Sequence, residues 1–348
     1  MYVVYIDSIT RLKFFLSLKC IYSKPEKIIF IVINKGVYDV LNRKGMKCFL
    51  LRKSNNCIDD SCNDVAELCV VEKYYGWSDQ EINSYLFQVK KIINKFDDSE
   101  LVFLIWNSSF IFSKFVKHKY RASSKIYFEN SNYNGSAYAS YSGTNADLVI
   151  DKVLSKEELQ QFIPQKEYGF SLYEKAVLGY GKIINKKSYY SYCLTSGFNK
   201  IIDKIFWPFL LNFIVSENSK GGVFVPLQIK SDTNIICFYD KTIEEFLEEC
   251  ISKNKNKKIT VKFHPKDIDF IWKYKFYKKY KSKVAFTKKD TSDLIENAEK
   301  VIVINSTVGF EALLEGKIVD VFGGAYYKAA TEAEAKALRN SLDMGIKL

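Results

Sequence analysis

Histidine is the rarest residue in this sequence, with two copies among 348 residues. The eight cysteines contain no pair at the Cys-x-x-Cys spacing. Because a structural zinc ion needs four suitably spaced Cys or His ligands, a zinc centre is not expected. Cys57, Cys62 and Cys69 form the tightest cysteine group; reduced thiols are favoured there, and a disulfide is the alternative.

A membrane-spanning run is also lacking. The longest apolar segment, residues 204–215, is interrupted by Pro208 and is shorter than the roughly 18 residues that a span requires. The first residues, MYVVYIDSITRLKFF, have no basic stretch of the kind that precedes the apolar core of a secretory leader. We therefore expect a cytoplasmic protein, held at most peripherally at the inner face of the cytoplasmic membrane.

Negative charge is scarce in one part of the chain, where fourteen lysines and two carboxylates lie between Lys253 and Lys289. A solvated surface is one interpretation, and attraction to an anionic membrane or a charged saccharide is the other. Nucleic acid is not expected as a partner, because no nucleic-acid-binding motif accompanies the charge. Helical spacing over 269–281 groups three lysines and leaves two aromatic residues to insert into a bilayer. These are Lys275, Lys278 and Lys279, with Trp272 and Phe276.

Apolar runs of strand length alternate with segments of helical periodicity along both halves of the chain. This alternation predicts an α/β fold of two Rossmann-like domains with parallel sheets, at residues 1–200 and 201–348. The predicted strands are 27–34, 46–51, 101–106, 124–130, 221–228, 258–263, 284–287, 300–305 and 317–323. The predicted helices are 36–45, 79–96, 241–254, 269–281, 291–298 and 309–316.

His264 directly follows the predicted strand 258–263 and precedes Pro265. Proline keeps the chain extended and prevents the strand from continuing. Ligands of open parallel sheets bind beyond the carboxyl ends of the strands, so this imidazole could donate to a phosphate or act as an acid. A purely structural histidine is the alternative.

The segment INSTVGFEALLEGK, residues 304–317, reads as a strand, a polar loop and a helix. Ser306 and Thr307 lie at the predicted helix N-terminus, where free N–H groups and the helix dipole favour an anion. Gly309 would allow close approach of a ligand, and Glu311 could reach a ribose. Ordinary N-capping by Ser306 or Thr307 is the alternative, and the two roles are compatible.

Two carboxylates complete the candidate site. Asp232 follows the strand within VPLQIKSDTNI, after Gln228, and is a candidate nucleophile or base; a plain turn residue is the alternative. Glu129 ends the predicted strand 124–130 and precedes a loop rich in Asn, Ser, Gly and Tyr. Such a loop suits a polar, hydroxylated ligand.

The strand ending in His-Pro, followed by a Ser/Thr-Gly helix with Glu, resembles the nucleotide-sugar site of two-domain GT-B glycosyltransferases. VPLQIKSDTNI and FENSNYNG are similar to segments of the capsular polysaccharide retaining β-Kdo transferases, including glycosyltransferase family 99. The resemblance spans roughly residues 124–323. The family's Glu-Asn-Gly stands here as Glu129-Asn130-Ser131. Bacterial sialyltransferases are the alternative within the same scaffold, although their Asp/Glu-Asp-Gly motif is absent.

The resemblance implies an active site in the cleft between an N-terminal acceptor domain and a C-terminal CMP-sugar domain. Asp232 would attack the anomeric carbon of Kdo and form a covalent adduct, and Glu129 would activate the acceptor hydroxyl or assist the second displacement. His264 would contact the CMP phosphate, with further donor contacts from Gln228, Lys262, Ser306, Thr307, Gly309 and Glu311. Retention follows from two displacements.

The resemblance also implies a CMP-Kdo donor, a lipid-linked or polysaccharide acceptor, and neither a cofactor nor a metal. Asp267 and Asp269 match a metal-binding Asp-x-Asp only superficially, and helix capping is the favoured interpretation. A UDP-sugar epimerase and a non-catalytic saccharide-binding protein remain the alternative functions.

Overall fold

The computed structural model describes residues 1–52, 63–97, 100–130, 136–160, 162–163, 168–185, 207, 221–342 and 346–347. The chain is an α/β protein with two separate, mostly parallel sheets, which confirms the predicted fold class. It divides into two compact units, the first formed by Met1–Tyr192 with Asn340–Leu348 and the second by Cys193–Arg339. None of the helices described is long and apolar enough to cross a membrane.

The strands are β1 (Tyr2–Ile6), β2 (Ile28–Val32), β3 (Cys48–Leu50), β4 (Val102–Trp106), β5 (Ser124–Asn130), β6 (Ser136–Ser140), β7 (Val223–Pro226), β8 (Ile259–Lys262), β9 (Ala285–Phe286), β10 (Lys300–Val303), β11 (Ile318–Val321) and β12 (Ile346–Lys347). The α-helices are α1 (Ile9–Ser17), α2 (Lys19–Ser23), α3 (Lys35–Arg43), α4 (Asn63–Ala66), α5 (Val70–Tyr74), α6 (Asp79–Ile93), α7 (Ile111–Lys119), α8 (Lys156–Leu159), α9 (Leu172–Asn185), α10 (Thr233–Phe238), α11 (Ile243–Lys253), α12 (Phe270–Tyr280), α13 (Thr291–Asn297), α14 (Thr307–Leu314) and α15 (Glu332–Leu342). Every predicted strand and helix is present, with ends that differ by a few residues.

The first unit contains a sheet of order β12-β6-β5-β4-β1-β2-β3. Strands β5, β4, β1, β2 and β3 are parallel, and helices cover both faces. In β1, Val3 and Tyr5 enter one apolar core whereas Val4 and Ile6 enter the other, because successive side chains of a strand point to opposite faces. The sheet is therefore a doubly covered parallel sheet, which explains its almost continuous apolar strands.

One edge of the first sheet is antiparallel and was not predicted. Strand β6 pairs antiparallel with β5, and β12 pairs antiparallel with β6. Only residues 131–135 separate β5 from β6. A parallel return needs a crossover of a dozen or more residues, so this short connection requires an antiparallel pair.

The end of the chain departs from the predicted domain boundaries. Residues 201–348 were expected to form the second domain, but β12 hydrogen-bonds to the first sheet, with Ile346 opposite Ala137. Asn340–Leu348 therefore belongs to the first unit. The boundary between the first unit and the second lies after Tyr192, whereas residue 200 was predicted. The acceptor and donor roles of the two units stay predictions.

The second unit has a five-stranded sheet of order β11-β10-β7-β8-β9, in which all pairs are parallel. Its central strand β7 is buried along its whole length. Phe246 of α11 and Phe276 of α12 pack on one face, and Leu294 of α13 and Ala312 of α14 pack on the other. The apolar faces of these helices bury the sheet and leave its carboxyl edge to the connecting loops.

The environment of α12 corrects one expectation about its aromatic residues. Phe276 is 2% exposed within the core, and the indole of Trp272 donates to Glu244 at 2.6 Å. Phe276 is therefore not available to enter a bilayer, and the partly exposed Trp272 is held by its bond to Glu244. Lys279 forms an ion pair with Glu248 at 2.8 Å, while Lys275 remains exposed.

The cysteine group is partly described. Cys69 is a buried free thiol, so the alternative of a disulfide at this residue is wrong. Cys57 and Cys62 lie outside the described residues.

The turn before β7 provides a test of the fold. Gly221 and Gly222 both have left-handed backbones, with φ of 73° and 79°. A Cβ at Gly222 would lie 2.3 Å from the carbonyl oxygen of Lys258, whereas a Cβ at Gly221 would approach Glu299 no closer than 3.7 Å. The carbonyl of Lys258 cannot move, because it accepts the first ladder bond of β7, from Val223 at 2.8 Å.

We expect Gly221→Ala to cost only the left-handed conformation, about 1–2 kcal/mol. Gly222→Ala adds a backbone clash and should cost about 3 kcal/mol or more, in the range of the largest single-residue effects. Chemical unfolding of the two variants, followed by tryptophan fluorescence and far-UV circular dichroism, measures the difference. Equal losses would show that the turn relaxes around the added methyl group.

Candidate functional site

Three polar residues of the second unit lie level with one another at the carboxyl edge of its sheet. Pro226 pairs with Lys262 across β7 and β8, and Val223 pairs with Lys300 across β7 and β10. Continued two residues beyond β7, this register places Gln228 between Asn305 on one side and His264 on the other. This is the edge where ligands of open parallel sheets bind.

Gln228 and Asn305 are joined by two hydrogen bonds. The side-chain amide of Gln228 donates to Asn305 Oδ1 at 2.9 Å, and the backbone N–H of Asn305 donates to Gln228 Oε1 at 3.1 Å. Both side chains are buried, with 5% and 7% exposure. Gln228 was predicted to contact the donor, but its side chain ties β7 to the end of β10. Asn305 was not predicted, although it stands beside Ser306 in the strand-loop-helix segment.

Asp232 is the N-cap of the short helix α10. Its Oδ1 accepts the N–H of Asn234 at 2.9 Å, and the side chain is partly exposed. The carboxylate therefore keeps contact with solvent while its orientation is fixed by the cap. Asp232 is a turn residue at the carboxyl edge of the sheet, and this position is compatible with the predicted role as nucleophile.

His264 is half-buried just beyond β8. Its Nδ1 accepts the N–H of Lys266 at 3.0 Å, so the neutral ring carries its hydrogen on Nε2. Burial lowers the pKa of His264, the charges of Lys266 and Lys262 lower it further, and the charge of Asp232 raises it. Asp232, in the loop after the neighbouring strand β7, is thus one of the charges that act on this ring. At neutral pH the ring is an uncharged N–H donor.

Lys262, the last residue of β8, points toward the start of α13. Its Nζ donates to Thr291 Oγ1 at 3.0 Å. Burial lowers the pKa of Lys262, against the charges of Asp290 and Asp293. The side chain thus supplies a partly desolvated positive charge on the strand that carries His264.

Ser306 caps α14, accepting the N–H of Val308 at 3.2 Å, and Thr307 is exposed beside it. A Cβ at Gly309 would lie 2.7 Å from both Tyr327 Oη and Val303 Cγ2. These side chains, rather than a ligand, occupy the space that Gly309 leaves, which corrects the expected reason for the glycine. The Tyr327 hydroxyl donates to the Ser306 carbonyl and so fixes the first turn of α14.

Glu311 lies one turn further along α14 and is partly buried. Burial and the neighbouring charge of Glu315 raise the pKa of Glu311. Its predicted contact with a ribose stays a prediction. Asp269 caps α12 through the N–H of Trp272 at 3.1 Å, which confirms that it is a helix cap.

Glu129 lies at the carboxyl edge of the first sheet, at the end of β5. Its carboxylate accepts from the side chain of Asn107 at 2.7 Å and from the N–H of Asn130 at 3.0 Å. Asn107 follows β4 with a φ of 64°, a left-handed conformation that asparagine tolerates better than most residues. Asn107 was not predicted, and the loop that begins at Ser131 lies outside the described residues.

The model of the capsule polysaccharide biosynthesis protein family matches residues 150–337, more than half of the chain. The chain belongs to this family. The match contains all of the candidate residues of the second unit, whereas Glu129 lies before it.

The individual proteins that the chain resembles match it over a short segment or at low sequence identity. Protein FixF of Sinorhizobium fredii is 34% identical over 121 residues, 33% of this chain and 29% of that protein, so the match spans less than a third of this relative's length. The Thermosulfurimonas dismutans KpsC β-Kdo 2,7 transferase is 15% identical over 95% of this chain and 82% of its own, with a TM-score of 0.43. The UDP-GlcNAc 2-epimerase of Neisseria meningitidis is 13% identical over 97% and 85%, with a TM-score of 0.29. Structural similarity at this level says nothing about chemistry.

The charge of Asp232 predicts how the pKa of His264 responds to a substitution. Because burial lowers its pKa, the His264 ring should titrate below the ordinary value of about 6.5. Asp232→Asn removes the charge that favours the protonated ring, so the midpoint should fall further. Proton NMR of the two imidazoles measures this, and His264→Gln assigns the signals. Asp269→Asn removes the same charge from another helix cap and should leave the midpoint unchanged; a shift equal to that of Asp232→Asn would mean that Asp232 has no special proximity.

Proposed function

We propose that this chain is a retaining glycosyltransferase that moves Kdo from CMP-β-Kdo to a saccharide acceptor in capsule, O-antigen or lipopolysaccharide synthesis. The observation that carries the proposal is the carboxyl edge of the second sheet, where His264 and the start of α14 follow the strands on either side of β7 and Asp232 follows β7 itself. Membership of the capsule polysaccharide biosynthesis family supports a saccharide substrate. The similarity of the site segments to β-Kdo transferases supports the choice of sugar.

The donor half of the reaction uses residues of the second unit. The Asp232 carboxylate attacks the anomeric carbon of Kdo, and the bond to the phosphate oxygen breaks as CMP leaves with the electron pair. The Nε2–H of His264 donates to the leaving phosphate. Lys262 supplies positive charge, and the first N–H groups of α14, next to Ser306 and Thr307, face the same anion.

The acceptor half releases the sugar. Glu129 takes the proton of an acceptor hydroxyl, whose oxygen attacks the anomeric carbon and displaces Asp232. Two displacements at one carbon retain its configuration, and two carboxylates are what such a sequence requires. The phosphate charge is met by His264, Lys262 and backbone N–H groups, so the proposal includes no metal and no cofactor.

Ligand-induced stabilisation separates the proposed donor from other nucleotide sugars. CMP-Kdo and CMP should raise the melting temperature, whereas CMP-sialic acid and UDP-GlcNAc should have smaller effects. His264→Ala should weaken CMP binding by roughly ten- to a hundred-fold, because one hydrogen bond to a charged group contributes about 1.5–3 kcal/mol. Calorimetry measures this loss.

The matched control is His118→Ala. It removes the other histidine, which contacts Asp64 in the first unit at 2.8 Å. Its CMP affinity should equal that of the unaltered protein. Stabilisation by UDP-GlcNAc alone would favour an epimerase, and no response to any nucleotide would favour a non-catalytic saccharide-binding protein.

Asp232→Asn should abolish transfer and leave the fold intact, because asparagine also caps helices well. Intact-protein and peptide mass spectrometry of enzyme mixed with CMP-Kdo should show a Kdo adduct on Asp232. Asp269→Asn is the control, since it changes a helix-capping aspartate of α12 in the same way and should retain transfer. An adduct on a different residue, or full activity of Asp232→Asn, contradicts the assignment of the nucleophile.

The acceptor of such an enzyme is expected at a membrane, and the structure redefines which residues could face one. Ile271 is 48% exposed on α12, and Lys275 and Lys278 follow it at helical spacing on the same side. We propose that this face contacts an anionic bilayer. Each lysine near the lipid would contribute about 1 kcal/mol, decaying within the Debye length.

The expected result is sedimentation with phosphatidylglycerol vesicles at low salt that disappears as salt is added. Lys275→Glu with Lys278→Glu should abolish it and leave transfer to a short, water-soluble acceptor unchanged. Lys91→Glu with Lys95→Glu, on the first unit, makes the same change in net charge and should bind normally. Equal loss in both double variants would indicate a response to net charge rather than a defined surface.

A further inference from the structure

Asn305 connects three parts of the second unit through one side chain. Its Oδ1 accepts from Gln228, which extends β7, and its Nδ2 donates to the carbonyl of Asn234 in α10 at 2.8 Å. On its other side Gly323 approaches so closely that a Cβ there would lie 3.1 Å from Asn305 Nδ2. The amide group is therefore held in one orientation, with both of its polar atoms bonded.

The helix that Asn305 contacts is the one that carries Asp232. Helix α10 has six residues, too few for an isolated helix to be stable, so its position depends on contacts with its surroundings. Asn234 is bonded from both sides, since its N–H donates to Asp232 and its carbonyl accepts from Asn305. The C-terminal end is held by the carbonyl of Phe238, which accepts from Gly324 at 2.9 Å.

We infer that Asn305 is a positioning residue, whose amide holds the first turn of α10 so that Asp232 stays at a fixed separation from His264. Gln228 supports it by fixing the amide orientation. The consequence for catalysis rests on the proposed function. The positioning itself does not, because it concerns two side chains of the unliganded protein.

The test is a double-mutant cycle that measures the pKa of His264, because the charge of Asp232 raises this pKa. The difference in NMR midpoint between the unaltered protein and Asp232→Asn measures their coupling. The same difference is then measured in an Asn305→Ala background. We expect it to fall to about half or less, because the effect of a charge on a pKa weakens once the charged group is no longer held near the ring. A cycle is used because any effect that Asn305→Ala has on the ring independently of Asp232 cancels in the difference.

Two further variants keep the test decisive. Asn305→Ser leaves a small hydroxyl beside Gln228 and no amide for Asn234, and it replaces Asn305→Ala if that variant does not fold. Thr291→Val removes the bond to Lys262, another charge that acts on His264, and should leave the coupling with Asp232 intact. An undiminished coupling in the Asn305 variants, or no coupling in the unaltered protein, overturns the inference.

Transfer assays distinguish this inference from the proposed function. If both hold, Asn305→Ala should lower kcat with little change in the KM for the donor, because the nucleophile is displaced while the phosphate contacts remain. If no CMP-sugar is a substrate but the coupling falls as expected, the proposed function fails and the positioning role stands.

Discussion

The register of three parallel strands determines which polar residues lie side by side at the candidate site of the second unit. Parallel pairing of β10, β7 and β8 brings Asn305, Gln228 and His264 level, although their positions in the sequence differ by as much as 77 residues. The strands themselves are apolar and buried, so the register is set by core packing. The polar row beyond their ends follows from that packing, and a slip of one residue would remove it.

Most of the fold could be predicted because strands and helices alternate with clear periodicity. Strand β1 was not predicted, although it pairs with both β2 and β4 in the middle of the first sheet. Its five residues, YVVYI, form an apolar run too short to assign by period. Strand β12 is shorter still, and its pairing with β6 joins residues more than 200 positions apart. A contact between such distant residues cannot be predicted from local sequence patterns, and therefore the end of the chain was assigned to the wrong unit.

The site residues divide in the same way. His264, Asp232, Ser306 and Glu129 could be proposed as candidates because each lies at or beyond the end of a readable strand. Asn305 and Asn107 could not, since an amide acquires its role only from the partner that the fold brings to it, Gln228 in one case and Glu129 in the other. Gly309 is the opposite case. It was predicted to make room for a ligand, but the Tyr327 side chain occupies the space beside it.

In the second unit, the charges that act at long range differ from the groups that would contact a ligand directly. The lysine-rich segment raises the potential around the site over a Debye length, which favours any anionic ligand or surface. At the strand ends, however, burial keeps His264 neutral, with Nδ1 occupied by Lys266 and the hydrogen on Nε2. A neutral donor has less solvation to lose than an imidazolium, so in the proposed reaction the Nε2–H would meet the phosphate without the prior cost of a buried charge. Because Nδ1 already accepts the N–H of Lys266 and Nε2 carries the hydrogen, the proposed role of the ring is to stabilise the leaving phosphate through this hydrogen bond, without taking up a proton.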